Sequence, residues 1–168
     1  MKGFILTALI ATGALASSAQ ASVPNDIKVP DGNKAFLEAR AVGVQIYGCA
    51  IATGGYAWSL TGPRADLYKH GKLIATHFAG PTWKAKRGSQ VVGARVSGVN
   101  VDPTAIDWLL LKATSTTPGR FGATTYIQRI HTTGGLAPAA ADCNAGTVGT
   151  AREVPYSADY VFFKKRGR

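Results

Sequence analysis

From Leu73 to Ser97 the chain reads LIATHFAGPTWKAKRGSQVVGARVS. Three short runs, Leu73–Phe78, the surroundings of Trp83, and Gln90–Val96, are separated by an Ala79-Gly80-Pro81 corner and a Lys86–Ser89 turn. Runs this short, rich in β-branched and aromatic residues and so closely punctuated by Gly and Pro, leave no room for an amphipathic helix. They predict strands that double back on one another. The same stretch carries a histidine, His77, within a few positions of an indole, Trp83, and of the cations Lys84, Lys86 and Arg87.

The rest of the chain repeats the pattern. Alternation from Lys34 to Cys49 predicts a long strand, with Gly43 and Gly48 marking a bulge or bend. Tyr56–Leu60 reads as a short aromatic strand broken by Thr61-Gly62-Pro63, and Ala65–Lys69 pairs with Lys72–Phe78 across His70-Gly71. Asp107–Thr114 has four apolar residues in a row, which suit strand or helix; its shortness and the flanking Pro103 and Pro118-Gly119 favour strand. Phe121–Thr132 alternates cleanly, Gly134–Gly149 is loose in composition, and Val154–Phe163 closes the domain. No apolar stripe of helical period and no internal repeat occurs. The expectation is an all-β domain, an antiparallel β-sandwich or β-barrel of about eight or nine strands. Among the aromatics, Trp58, Trp108 and Phe162 stand in apolar company and are expected in the core.

Residues 1–21 are expected to be a signal peptide: Met1-Lys2, an apolar run Gly3–Leu15, and Ala19-Gln20-Ala21 as the cleavage site. About 13 apolar residues fall short of the roughly 20 that span a bilayer. The rest divides into an extended lead-in (22–33), one domain (34–163) and a basic, frayed tail (164–168). No transmembrane segment is expected after cleavage, and the compartment is periplasmic or extracellular. The chain has 19 Lys and Arg against 9 Asp and Glu, a formal net charge of +10, so acidic partners are favoured. Two cysteines in an exported chain predict one disulfide, Cys49–Cys143, closing a long loop and contributing about 4–5 kcal/mol on the chain-entropy estimate.

Read together, GVQIYGC (43–49), ADLY (65–68), THFAGPTW (76–83), GSQVVG (88–93), WLLLKA (108–113), YIQRIHTTGG (126–135) and VPYSADYVFF (154–163) resemble a secreted family of bacteria and fungi catalogued as a domain of unknown function. The resemblance spans nearly the whole chain after residue 21. It implies a compact extracytoplasmic domain with a Cys49–Cys143 pairing, and it brings no activity with it. Some fungal members bear the label malate dehydrogenase. Nothing here supports that label, because a nicotinamide site needs a glycine-rich turn between strand and helix, and neither G-x-G-x-x-G nor βαβ alternation is present. Lys84, Lys86 and Arg87 depart from the more acidic or neutral residues of relatives, so anion binding is not implied as the family's common task.

Chemistry centres on His77. A ligand-binding reading groups it with Trp83, Gln45, Tyr47, Gln128 and Arg129, presented together at one rim, with Lys84, Lys86 and Arg87 as anion contacts. The partner expected is a polysaccharide or other anionic envelope component. The alternatives are a small hydrolase or other enzyme using His77, and a structural envelope protein. No G-x-S-x-G elbow, paired glutamates or H-E-x-x-H spacing favours catalysis, no metal or cofactor is expected, and an exported chain rarely meets nucleic acid.

Overall fold

The computed structural model describes residues 22–167; the expected signal peptide lies outside the described residues. Eight antiparallel strands follow one another round a closed barrel: β1 (Asn33–Ala52), β2 (Gly55–Lys69), β3 (Lys72–Phe78), β4 (Thr82–Ala85), β5 (Gln90–Val99), β6 (Trp108–Thr116), β7 (Tyr126–Gly134) and β8 (Ala151–Lys165). Strand β1 pairs with both β2 and β8 and so closes the sheet on itself. Closure leaves no open edge, which removes the main aggregation hazard of a sheet protein. Of the two all-β architectures expected, the barrel is the one formed. The ambiguous segment around Trp108 is strand.

Two runs expected to be separate are one strand. Thr61-Gly62-Pro63 does not end a strand; it is a bulge inside β2, where Ile46 pairs with Gly62 and Tyr47 with Leu60, leaving Thr61 as the extra residue. Gly62 is required there twice over. Its φ is 147°, and an added Cβ would lie 2.7 Å from the Ala79 Cβ. The bend expected near Gly43 instead proves to be a close approach: a Cβ at Gly43 would sit 2.2 Å from the Arg64 carbonyl oxygen of β2.

An eight-stranded barrel is just wide enough for side chains to fill it or for one small ligand to share it. Alternation sends Leu37, Ala39 and Ala41 of β1, Leu67 of β2 and Tyr156, Ala158, Tyr160 and Phe162 of β8 inward. Small neighbours make room for large ones. Ala75, Ala85 and Gly93 surround the space that Trp83 occupies, and a Cβ at Gly93 would come within 3.3 Å of the indole.

A second cluster lies on the outer wall. Ile27, from a 3-10 turn at Asn25–Ile27, is fully buried against Trp108, Leu110 and Ile130, with Val23 and Val29 beside it. The expected extended lead-in is therefore a clamp on the barrel's side. Burying such a side chain contributes about 1.5–3 kcal/mol. At the other terminus Lys164 and Lys165 pair with Lys34 and Asn33, so the strand continues into what was expected to be a frayed tail. The Cys49–Cys143 disulfide, spanning 94 positions, ties β1 to the loop between β7 and β8.

Candidate functional site

The β3–β4 hairpin places His77 opposite Trp83. Both side chains point inward, and their rings stack with centroids 4.4 Å apart and planes 6° from parallel. His77 Nδ1–H donates to the Thr82 carbonyl at 2.8 Å, which leaves Nε2 as a lone-pair acceptor. Tyr160 meets both rings edge-on at 5.0 and 5.2 Å, and Phe162 meets the indole at 5.9 Å. The expected pairing of imidazole and indole is present, but not at a rim. His77 is 3% exposed and Trp83 0%, because barrel closure turns the inward face of this hairpin into the molecule's interior.

Above this stack is a cavity of about 280 Å3, opening at the end of the barrel where the Ala79-Gly80-Pro81 corner lies. Leu60, Pro63, Pro81, Leu109 and Leu111 make its walls apolar. Polar groups converge from other strands: Gln45 of β1, Arg95 of β5, Arg129 of β7 and Tyr160 of β8. Several of them are unsatisfied. Both amide atoms of Gln45, Trp83 Nε1 and Tyr160 Oη are buried without a hydrogen-bond partner, as is Tyr156 Oη on the same face of β8. A buried polar group left unpaired costs about 1–3 kcal/mol. Such a group in a native fold calls for an explanation.

Arg129 is the only cation of the cavity without a carboxylate partner among the described residues. Its Nε and Nη2 donate to the Asp107 carbonyl at 3.0 and 2.8 Å. The Asp107 carboxylate is turned to Arg95 instead, at 3.3 Å. One loop residue thus positions two arginines, one inside and one at the mouth. Arg129 acts on the titration of four neighbouring rings, Tyr47, His77, Tyr156 and Tyr160. Burial raises the pKa of Tyr47, Tyr156 and Tyr160, and Arg129 opposes each rise; neither Tyr156 nor Tyr160 closes a hydrogen bond of normal geometry. Burial lowers His77 to about 3, the Thr82 hydrogen bond resists, and Arg129 adds to the lowering. His77 is accordingly neutral near pH 7, and its pKa is badly matched to general-base work there.

Of the residues grouped from sequence, Gln45, His77, Trp83 and Arg129 share the cavity. Tyr47 does not reach it: its hydroxyl donates to the Gly135 carbonyl at 2.7 Å. Gln128 neighbours Arg129 in β7 and so faces the opposite way, donating to the Ile27 carbonyl at 2.7 Å on the outer wall. Lys84 is exposed on the outside of β4, and Lys86 and Arg87 occupy the turn at the far end of the barrel. None of the three touches the cavity. Tyr160 and Arg95 were not singled out. The signal for Tyr160 was present, since Tyr156, Tyr160 and Phe162 share one face of an alternating strand. Among the described residues no three His, Cys, Asp or Glu side chains gather as metal ligands, and no helix is long and apolar enough to cross a membrane.

The pattern of one family, described as a protein of unknown function (DUF3455), matches residues 30–164. No curated protein and no solved structure matches the chain.

Proposed function

The chain belongs to the DUF3455 family, which assigns it no activity, and we propose that it is a binding barrel for a small, anionic, partly apolar ligand held in the interior cavity. The observation that carries this reading is Arg129: a guanidinium facing an apolar-walled cavity, held by a backbone carbonyl, with no carboxylate to balance it. A carboxylate entering the cavity would meet that charge together with the Gln45 amide, Trp83 Nε1 and the Tyr160 hydroxyl, groups otherwise unpaired. The expected site is an extracytoplasmic one, periplasmic or secreted, in keeping with the Cys49–Cys143 disulfide.

The anionic reading is favoured over the carbohydrate one. Sugar rings stack on an open aromatic face, whereas Trp83 is fully buried, with one face covered by His77 and with Tyr160 and Phe162 packed against it at steep angles. Hydrolysis using His77 is supported less again, because the imidazole is neutral with a pKa near 3 and no serine or cysteine lines the cavity. The envelope component sought is therefore a small acid, not a polysaccharide chain.

Calorimetric titration with a series of aliphatic and aromatic carboxylates, their neutral amides and a set of oligosaccharides tests the reading. Carboxylates are expected to bind and their amides to bind much more weakly. Arg129→Gln should cost about 10- to 100-fold in affinity, the worth of one charge-assisted hydrogen-bond pair. Equal binding of acid and amide, binding of sugars alone, or turnover of an ester or glycoside abolished by His77→Ala would each overturn it.

A further inference from the structure

We infer that the end of the barrel opposite the cavity is a docking face for an anionic lipid bilayer. In an antiparallel barrel of consecutive strands, alternate connections come to the same end. The β2–β3, β4–β5 and β6–β7 connections therefore share one end with the start of β1 and the finish of β8. Residues 31–34, 69–73, 86–89, 117–125 and 164–167, which make up that end, include nine Lys and Arg and a single acid, Asp31. Lys72, Lys86, Arg87, Arg120, Lys165 and Arg166 are all exposed. The four ion pairs among the described residues, Arg40–Asp159, Arg64–Glu153, Arg95–Asp107 and His131–Asp159, involve none of the nine.

The arrangement suits a flat partner. The cations come from five separate segments spread round the circumference, so a planar surface meets all of them at once, while a linear polyanion lies along only one side. Between the β3 start, the β4–β5 turn and the β6–β7 loop is a depression floored by Leu73 and Ile74 and edged by Lys86, Arg87 and Arg120. Cations around an apolar floor match a phosphate headgroup and the first carbons beneath it. Single-stranded nucleic acid is a poor fit, because stacking needs open aromatic rings. The aromatic rings of these segments are His70, at a hairpin tip, and Phe121, which is fully buried. Docked this way, the barrel holds the cavity mouth away from the membrane.

Co-sedimentation of the full-length chain with vesicles of phosphatidylcholine alone, or mixed with phosphatidylglycerol, tests this. Retention is expected on the mixed vesicles only, and it should fall away as salt rises past physiological strength, where the screening length is about 8 Å. The variant carrying Lys86→Glu, Arg87→Glu and Arg120→Glu should lose about a hundredfold or more in partitioning. It alters only exposed positions and should keep its circular-dichroism spectrum. Arg152→Glu, near the cavity end, should leave retention intact. Any contribution of residues 1–21 is common to all these variants, so the difference reports on the docking face. Equal retention on neutral vesicles, full retention of the triple variant, or capture by a linear polyphosphate resin with none on vesicles would overturn the inference.

Discussion

The two ends of the barrel carry opposite chemistry. The connections at the cavity end, residues 53–54, 79–81, 100–107 and 135–150, contain three acids, Asp102, Asp107 and Asp142, and no Lys or Arg. The connections and termini at the other end contain Lys86, Arg87, Arg120 and Arg166 against Asp31, and the strand residues next to them bring the total to nine cations and one acid. Arg129 therefore lies at the end whose connections are acidic and still has no carboxylate partner, which separates it in kind from the exposed lysines. A single enclosed charge in a low dielectric is directional, weakly screened and strongly felt by its neighbours. A ring of solvated charges acts only in sum, and salt weakens it.

Substitutions that strike one end and spare the other sharpen this contrast. The largest effect is expected from Trp83→Ala, which empties the centre of the aromatic stack and should cost about 3–5 kcal/mol by denaturant unfolding. That expense also makes it a poor probe of binding, for which Arg129 is the cleaner choice. Arg87→Ala at the basic end should change stability by no more than about 0.5 kcal/mol. A small loss for Trp83→Ala would mean that the barrel is not packed around the indole.

Acid should act next in size per pH unit, and chiefly through the interior, Asp102 being an exposed group with a lowered pKa of its own. His77 has a folded pKa of about 3 against an unfolded value of 6.5. Above pH 6.5 both states are neutral there and the group is indifferent. Below it the unfolded chain takes up a proton that the folded one refuses. Stability therefore falls as pH drops from 6.5 towards 3, by up to about 1.4 kcal/mol per pH unit from this group. His77→Phe should flatten that part of the pH–stability curve. An unchanged slope in the variant would show the imidazole to be solvated.

Smallest of all is the effect of Arg129→Gln on stability. Removing a half-buried charge that has no carboxylate partner should leave the midpoint of thermal unfolding where it is or raise it slightly, while ligand affinity falls. A substantial loss of stability would instead make Arg129 a structural clasp for the Asp107 loop.

Much of this was legible from residue order. Turn chemistry and period-two runs gave the strands, and two cysteines in a chain expected to be exported gave the bridge. Spacing also brought His77 to Trp83, because a three-residue corner between short strands sets them opposite each other. Other features depend on closure, which alternation alone cannot express. Alternation says that Gln128 and Arg129 face opposite ways; which of them faces inward is decided only when β7 finds β6 and β8. Thr61-Gly62-Pro63 has the composition of a strand end, yet its glycine conformation serves a bulge within a continuing strand. The positions of Lys86 and Arg87 follow from counting turns: β4 runs away from the Ala79-Gly80-Pro81 corner, so the next reversal falls at the opposite pole.

Ile27 fastens the first described residues to the side wall, whereas β8 delivers the other terminus among Lys165 and Arg166. An affinity handle or fluorophore fused ahead of Ser22 would hang from the cylinder's flank and obstruct neither pole. The same label fused after the last strand would sit over the cationic crown, and recombinant material tagged there would report weakened lipid adhesion that belongs to the tag.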